Sequence, residues 1–186
     1  MQAFLEQFRI FTPEEISDFL SIGRNRLIKK NEFFIREGMI AKEVGFVLSG
    51  ALRSFYFSTV SDEVTYCFTF PDTLISAYSS YITGHPTPEN IQALIDTEML
   101  VFPADAIKQL VDADTKWLRF AKILAELQYI EMEKRILTLQ IEPAEVKYGR
   151  LVDEHPEILQ MVPLQYIASY LGISQRHLSR LRQKKS

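Results

Sequence analysis

The sequence changes character at Pro103, and this change divides the chain into a β-rich part and a helical part. Before Pro103, short runs of β-branched and aromatic residues, such as 64–70, are separated by turn residues that include Glu37-Gly38 and Ser49-Gly50. After Pro103, apolar residues recur at helical spacing instead. Short, regularly spaced strands predict a small barrel or jelly-roll sandwich, so the expected fold class is α+β.

A single long helix is predicted from about residue 114 to residue 140, where the chain contains no Gly or Pro. Asp114 or Thr115 can cap its first turn. At about 1.5 Å per residue the helix is longer than a small domain needs, which favours pairing with the same helix of a second subunit. The alternative is a helix that packs only on its own barrel. The expected dimerisation residues share one apolar stripe and are Trp117, Phe120, Ala121, Leu124 and Leu127.

Residues 164–181 predict two short helices joined by a three-residue turn. Gly172 can adopt the positive φ that ends the first helix, and Ser174 can cap the second. Ala168 is small where the two helices would cross, and apolar side chains occupy the positions that such a pair buries. Two helices joined in this way are typical of a DNA-binding helix-turn-helix, although a helical hairpin in an ordinary bundle can give the same pattern.

Charge supports the DNA-binding interpretation of this segment. All 24 acidic residues precede Pro163, whereas five cationic residues follow it, in a chain of net charge -3. A basic segment on an acidic body predicts contact with a polyanion. We expect base contacts from the early exposed positions of the second helix, which are Gln175, Arg176, Ser179 and Arg180. Phosphate contacts are expected from Ser174, His177, Arg182, Lys184 and Lys185.

This order of parts resembles the cAMP receptor protein/Fnr (Crp/Fnr) family of transcription regulators. Residues 29–57 are similar to the opening of the family's sensor domain, with Gly38 and Gly50 at its two turns, and residues 162–185 resemble the short branch common in Bacteroidetes-type bacteria. The resemblance implies a homodimer on a palindromic operator in double-stranded DNA, with RNA polymerase and an unknown small-molecule effector as further partners. It divides the chain into a β-roll sensor domain (1–112), a dimerisation helix (113–141) and a helix-turn-helix domain (142–186).

The sequence departs from the family members that bind cyclic nucleotides. Their Gly-Glu-Leu triplet is replaced by Ile75-Ser76-Ala77, and their Arg-Ser or Arg-Thr pair by Glu89-Asn90. A carboxylate at position 89 would repel the phosphate that an arginine binds, so we expect no response to cAMP or cGMP. The expected degenerate effector pocket comprises Ile75, Ser76, Ala77, Tyr78, Glu89 and Asn90.

Two other classes of function are weaker interpretations of the sequence. One is a ligand-binding or protein-interaction module whose helix-turn-helix no longer binds DNA. The other is a cupin-like β-barrel metalloenzyme, but its chemistry needs several converging histidines, and His85, His155 and His177 lie in separate contexts. His85 alone gives no support for haem, and the single Cys67 excludes a multi-cysteine metal site in one chain. We therefore expect no enzyme, no metal and no cofactor.

The expected localisation is cytoplasmic, without a membrane partner. The N-terminal residues lack the apolar core and cleavage site of a secretory signal. No run approaches the roughly 18 apolar residues that a membrane-spanning helix requires.

Overall fold

The first part of the chain forms a β-roll of two four-stranded sheets. The computed structural model describes residues 1–156 and 158–185, with the side chains of residues 184 and 185 outside that description. The strands are β1 (Arg24–Ile28), β2 (Phe33–Ile35), β3 (Glu43–Ser49), β4 (Leu52–Phe57), β5 (Glu63–Thr69), β6 (Leu74–Ile75), β7 (Asn90–Ala93) and β8 (Thr97–Pro103). All pairings are antiparallel, in the orders β1-β8-β3-β6 and β2-β7-β4-β5.

The turn between β3 and β4 depends on a glycine. Gly50 has φ 99°, and a Cβ atom there would lie 2.6 Å from Cα of Thr97. Only glycine combines this backbone conformation with so close an approach. The apolar residues that the two sheets enclose form the roll core, which includes Ile28, Phe34, Val47, Leu52, Ile91, Met99 and Val101.

Short helices flank the roll, and a long helix follows it. Their bounds are α1 (Gln2–Glu6), α2 (Pro13–Ile22), α3 (Tyr78–Thr83), α4 (Ala104–Ala113) and α5 (Thr115–Ile141). The α2 helix begins with a reciprocal capping box between Thr12 and Glu15, which satisfies two backbone N–H groups. Asp114 caps α5 by accepting a hydrogen bond from the Lys116 backbone N–H. The α1 and α2 helices pack against the first turns of α5.

The last part of the chain is a small helical unit that shares a core with the roll. Its helices are α6 (Ala144–Glu154), α7 (Ile158–Met161), α8 (Leu164–Leu171) and α9 (Gln175–Lys185). Buried residues of α6, α8 and α9 form one cluster with Ala51, Phe70 and Leu94 of the roll. The expected α+β class is confirmed, with its β-roll, long helix and C-terminal helix pair. The proposed domain boundaries at residues 112 and 141 stay a prediction.

Within the described residues, no helix combines the length and the apolar character needed to cross a bilayer.

Candidate nucleic-acid interface

The α8 and α9 helices meet at a tight turn centred on Gly172. Gly172 has φ 68°, in the left-handed region that glycine adopts without strain. The backbone N–H groups of Gly172 and Ile173 donate to the carbonyl oxygens of Ser169 and Ala168, which closes the end of α8. Ser174 then caps α9, since its Oγ accepts a hydrogen bond of 3.2 Å from the His177 N–H. The structure thus has the predicted helix-turn-helix geometry.

The interior of this helix pair is apolar and closed to solvent. Ile167, Ala168 and Leu171 of α8 are buried with Leu178 and Leu181 of α9. The small Ala168 side chain lies in this shared core, consistent with the close crossing expected from the sequence. Because the apolar residues of α9 point inward, its polar residues at the intervening positions must face outward.

The four predicted base-contacting residues all lie exposed on α9. Arg176 and Arg180 are one helical turn apart, so both guanidinium groups project from the same side. Gln175 and Ser179 are also one turn apart, and the Ser179 hydroxyl donates to the Gln175 carbonyl oxygen at 3.0 Å. That bond leaves the Ser179 Oγ available as an acceptor. The exposed row offers the guanidinium and amide groups that can pair with guanine and adenine edges.

The predicted phosphate contacts are more varied in their surroundings. Ser174 is exposed, but its hydroxyl already serves as the cap of α9. His177 and Arg182 are half-buried, and Arg182 has an intramolecular interaction. The side chains of Lys184 and Lys185 lie outside the described residues. The phosphate assignments therefore stay predictions.

Part of the predicted dimerisation stripe on α5 is buried within its own protomer, and the seam itself stays a prediction. Trp117 and Phe120 are each 6 % exposed and pack in the protomer's own aromatic core, in which Phe19 and Phe102 are also buried. Leu124 packs against the same core and Ala121 is half-buried, whereas Leu127 is exposed. Trp117 and Phe120 are therefore unavailable for a subunit seam, because the N-terminal helices cover them.

The middle and end of α5 carry two other apolar stripes. Every residue from Glu126 to Lys134 is exposed, so this part of the helix stands clear of its own protomer. We name the first row the 127/130 stripe; it comprises Leu127, Ile130, Leu137 and Ile141. The second row, the 129/132 stripe, lies on the opposite side of the helix and comprises Tyr129, Met132, Ile136 and Leu139.

The residues of the predicted effector pocket lie in different surroundings, and their assignment to a pocket stays a prediction. Ile75 and Ala77 are buried members of the roll core, and Tyr81 packs against that core. The Ser76 hydroxyl donates to the Glu43 carbonyl oxygen at 3.0 Å. Tyr78 is exposed at the start of α3. These residues occupy their positions through packing and backbone contacts within the protomer.

Glu89 and Asn90 are buried at the start of β7. The Asn90 Oδ1 accepts from the Glu37 N–H at 3.1 Å, while its Nδ2 has no hydrogen-bond partner among the described residues. The Tyr66 hydroxyl donates to the Glu89 carboxylate. Burial raises the pKa of the Glu89 carboxyl, and the Tyr66 hydrogen bond opposes that rise. Burial and the nearby carboxylate raise the pKa of the Tyr66 phenol as well.

Glu89→Gln is expected to stabilise the protein at neutral pH but not below the ordinary carboxyl pKa of 4.5. At low pH Glu89 is protonated in both the folded and the unfolded chain. As the pH rises above the unfolded-state pKa, the unfolded chain loses its proton first, so wild-type stability falls until the pH passes the raised folded-state pKa. Glutamine does not ionise and still accepts the Tyr66 hydrogen bond. Urea unfolding across this pH range measures the difference in free energy of unfolding between Glu89→Gln and wild type, with Glu133→Gln on the exposed part of α5 as control. A difference that does not change with pH would contradict the prediction.

Sequence reasoning missed the contacts that dock α8 on the roll. Arg53, Tyr166 and Ser169 meet there, and Arg135 of α5 contacts Tyr170 beside them. The one available signal was Arg53 itself, a charged residue among aromatics on the same side of β4. A surface-facing arginine has the same pattern, so the sequence alone did not distinguish the two.

The β-roll and the overall fold both have counterparts among known proteins. Residues 25–114 match the family model of the cyclic nucleotide-binding domain. FixK2 from Bradyrhizobium japonicum superposes with a TM-score of 0.77 at 17% identity, covering 88% of this chain and 84% of FixK2. The chain therefore shares its overall fold with FixK2, and its first part matches the cyclic nucleotide-binding domain. The expected resemblance to Crp/Fnr regulators is confirmed at the level of the fold, whereas the short Bacteroidetes-type branch stays a prediction.

Two further solved structures have the same overall fold as the chain. A putative transcriptional regulator of the Crp/Fnr family from Eubacterium rectale has a TM-score of 0.76 at 16% identity, covering 98% of this chain and 87% of that chain. CLP from Xanthomonas campestris, described as a c-di-GMP responsive global regulator, has a TM-score of 0.71 at 16% identity and covers 91% and 89%. No curated protein matches the chain by sequence. At such low identities the likeness concerns the fold.

Proposed function

We propose that the chain is a sequence-specific DNA-binding transcription regulator of the Crp/Fnr type, acting as a cytoplasmic homodimer and not as an enzyme. One observation carries the proposal: Gln175, Arg176, Ser179 and Arg180 are all exposed on the second helix of a helix-turn-helix. They lie in a segment without acidic residues, which leaves no carboxylate of that segment to repel DNA. The regulators that share this fold support the same role.

In this proposal each subunit places α9 in one of two successive major grooves, about 34 Å apart on a palindromic operator. Arg176 and Arg180 can each donate two hydrogen bonds to guanine O6 and N7, and Gln175 can pair with adenine. The cap at Ser174 directs the α9 N-terminus and its partial positive charge toward the phosphate backbone. Lys184 and Lys185 would add affinity that does not depend on sequence.

We further propose that the β-roll does not respond to cAMP. Ile75 and Ala77 fill the core where the family's ribose-binding triplet would lie, and the buried Glu89 replaces a cationic partner. An anionic phosphate entering there would meet a carboxylate in place of the arginine that binds it in the family. An effector of other chemistry would act by altering how the α5 helices pair near residues 140–143. RNA polymerase is the further partner that an activator of this type would contact.

The deciding experiment is selection of bound duplexes from a random pool by the purified full-length protein. Recovery of a palindrome with half-sites one helical turn apart is expected, and binding should weaken steeply as salt rises. The competing interpretation is a ligand-binding or protein-interaction module with an inactive helix-turn-helix. It predicts no enriched sequence and no salt-dependent binding to any duplex, and that result would overturn the proposal.

Arg180→Ala is expected to relax base preference at one operator position and to weaken binding to the selected palindrome by about 1–3 kcal/mol per lost bidentate contact. Lys184→Ala should instead weaken all duplexes alike and flatten the salt dependence, because a phosphate contact carries no sequence information. Titrations of both variants against the palindrome, its single-base variants and a random duplex separate the two effects. Equal losses on every duplex from Arg180→Ala would refute this division.

A further inference from the structure

The α8 helix lies against β5, the edge strand of the second sheet. An edge strand presents backbone N–H and C=O groups that have no strand partner. The Thr65 N–H donates to Ser169 Oγ at 2.9 Å, and the Ser169 hydroxyl donates to the Glu63 carbonyl oxygen at 3.1 Å. A single hydroxyl of α8 therefore takes the place of a neighbouring strand for one donor and one acceptor of β5.

A fully buried arginine holds the same helix from the side of the roll. Arg53 of β4 is 0 % exposed, with its guanidinium carbon 3.9 Å from the ring centre of Phe55 and 3.5 Å from that of Tyr166. Its Nη2 pairs with a Glu63 carboxylate oxygen at 2.7 Å and donates to Gln92 at 3.1 Å. A planar guanidinium stacked on aromatic rings and fixed by hydrogen bonds allows little sliding or rotation.

The long helix adds a third contact. The guanidinium carbon of Arg135 on α5 lies 3.7 Å from the ring centre of Tyr170, and its Nη2 donates to the Tyr170 carbonyl oxygen. The Tyr170 ring also packs on Phe68 of β5, with ring centres 5.1 Å apart. Tyr166, Ser169 and Tyr170 lie three and four residues apart, so they share one face of α8. The roll and α5 contact that face of α8, while Ile167 and Leu171 on its other side pack in the core of the helical unit.

We propose that this face of α8, docked on β5, is a positioning surface that fixes the recognition helix relative to the roll and to α5. The inference rests on the proposed DNA-binding function. A dimer reads a palindrome only when both α9 helices stand at the operator's half-site separation. A docked helix-turn-helix holds each α9 helix at that separation before DNA binds. A loosely tethered helix-turn-helix would lose orientational freedom when the second half-site is bound, and this loss lowers the affinity. Ser169, Tyr166 and Arg53 are therefore positioning residues that act on DNA through α9.

Ser169→Ala and Tyr166→Leu test this role, with Ser21→Ala on α2 as a matched serine control. Fluorescence titrations would compare a single half-site, the selected palindrome, and palindromes with one base pair inserted or removed between half-sites. Both variants should bind the half-site as wild type does, lose about tenfold on the palindrome, and discriminate less between spacings, since the gain from linking two sites depends on their geometry. The Ser21→Ala control should match wild type on every duplex.

A second readout needs no DNA. Ser169→Ala should speed hydrogen exchange at the Thr65 amide, whose acceptor it removes, while amides that pair with β4 keep their protection. Unchanged palindrome affinity and spacing preference in both variants, or tighter palindrome binding, would overturn the positioning role. So would equal losses on half-site and palindrome, which would indicate damage to the helix-turn-helix itself. If the wild-type protein binds no duplex, both the proposed function and the positioning role are overturned. If the wild-type protein binds normally and the variants bind as it does, only the positioning role is overturned.

Discussion

Glu63→Gln is expected to lower the free energy of unfolding by about 3 kcal/mol, although the Glu63 side chain itself is partly exposed. The reason is its partner. Arg53 is fully buried, and Glu63 supplies the negative charge in its ion pair. Glutamine retains a hydrogen-bond acceptor but leaves an uncompensated guanidinium charge in the protein interior. Urea denaturation followed by circular dichroism measures this loss of stability. Because Glu63 is partly exposed to solvent, the expected loss lies at the low end of the range for broken buried ion pairs.

Two control variants make this prediction specific. Glu126→Gln breaks an exposed ion pair with Lys122 on α5 and should change stability by less than about 0.5 kcal/mol. The double variant Arg53→Met/Glu63→Gln removes both charges, fills the space between the two rings and should regain most of the loss. A double variant as unstable as Glu63→Gln alone would show that the cation stacking, and not the unpaired charge, stabilises this contact.

The helix-turn-helix could be predicted from sequence because its determinants are local. Gly172 sets a backbone conformation, Ser174 caps the following helix, and the apolar spacing of the pair fixes which side is buried. Each of these effects acts over a few residues and therefore leaves its mark in the sequence. The exposure of Arg176 and Arg180 follows from the same periodicity.

The docking of α8 on the roll could not be predicted in the same way. Arg53 alternates with Leu52 and Ser54 along β4, as a solvent-facing arginine on a half-buried strand would. Its burial depends on Tyr166, a residue far along the chain. A strand's alternation reveals that it has two different faces but not which element covers the second.

The same limit explains why the sequence did not reveal that Trp117 and Phe120 are buried within their own protomer. Trp117 and Phe120 recur at helical spacing, and that pattern correctly indicated an apolar face on α5. The covering element is the N-terminal segment, whose Phe8 and Phe11 rings lie 5.0 and 5.4 Å from the Phe120 ring. When a helix has apolar residues on several sides, the sequence shows that these apolar faces exist. It does not show which element covers each of them.

Ile130→Glu is expected to convert the proposed homodimer into a monomer and to weaken binding to the palindromic operator by at least about 100-fold, because the second half-site contact is lost. Ile130 belongs to the 127/130 stripe, which is exposed on a part of α5 that its own protomer leaves uncovered. Ile123, Leu127 and Ile130 recur at steps of four and three residues, which is the apolar spacing of a seam between paired helices. A buried carboxylate facing its symmetry mate would oppose that pairing. Analytical ultracentrifugation and operator titrations measure the two consequences.

Tyr129→Glu distinguishes the two apolar stripes of α5, since Tyr129 is 68 % exposed, adjoins Ile130 in sequence and belongs to the 129/132 stripe. If the α5 helices pair through the 127/130 stripe, this variant stays dimeric and keeps its operator affinity, whereas Ile130→Glu loses both. The reverse pattern would place the subunit seam on the 129/132 stripe. Single half-site affinity should be the same in both variants, because neither residue belongs to the helix-turn-helix. A dimer that survives both substitutions would refute pairing through this part of α5, and the spacing of the two recognition helices would then have to be set elsewhere.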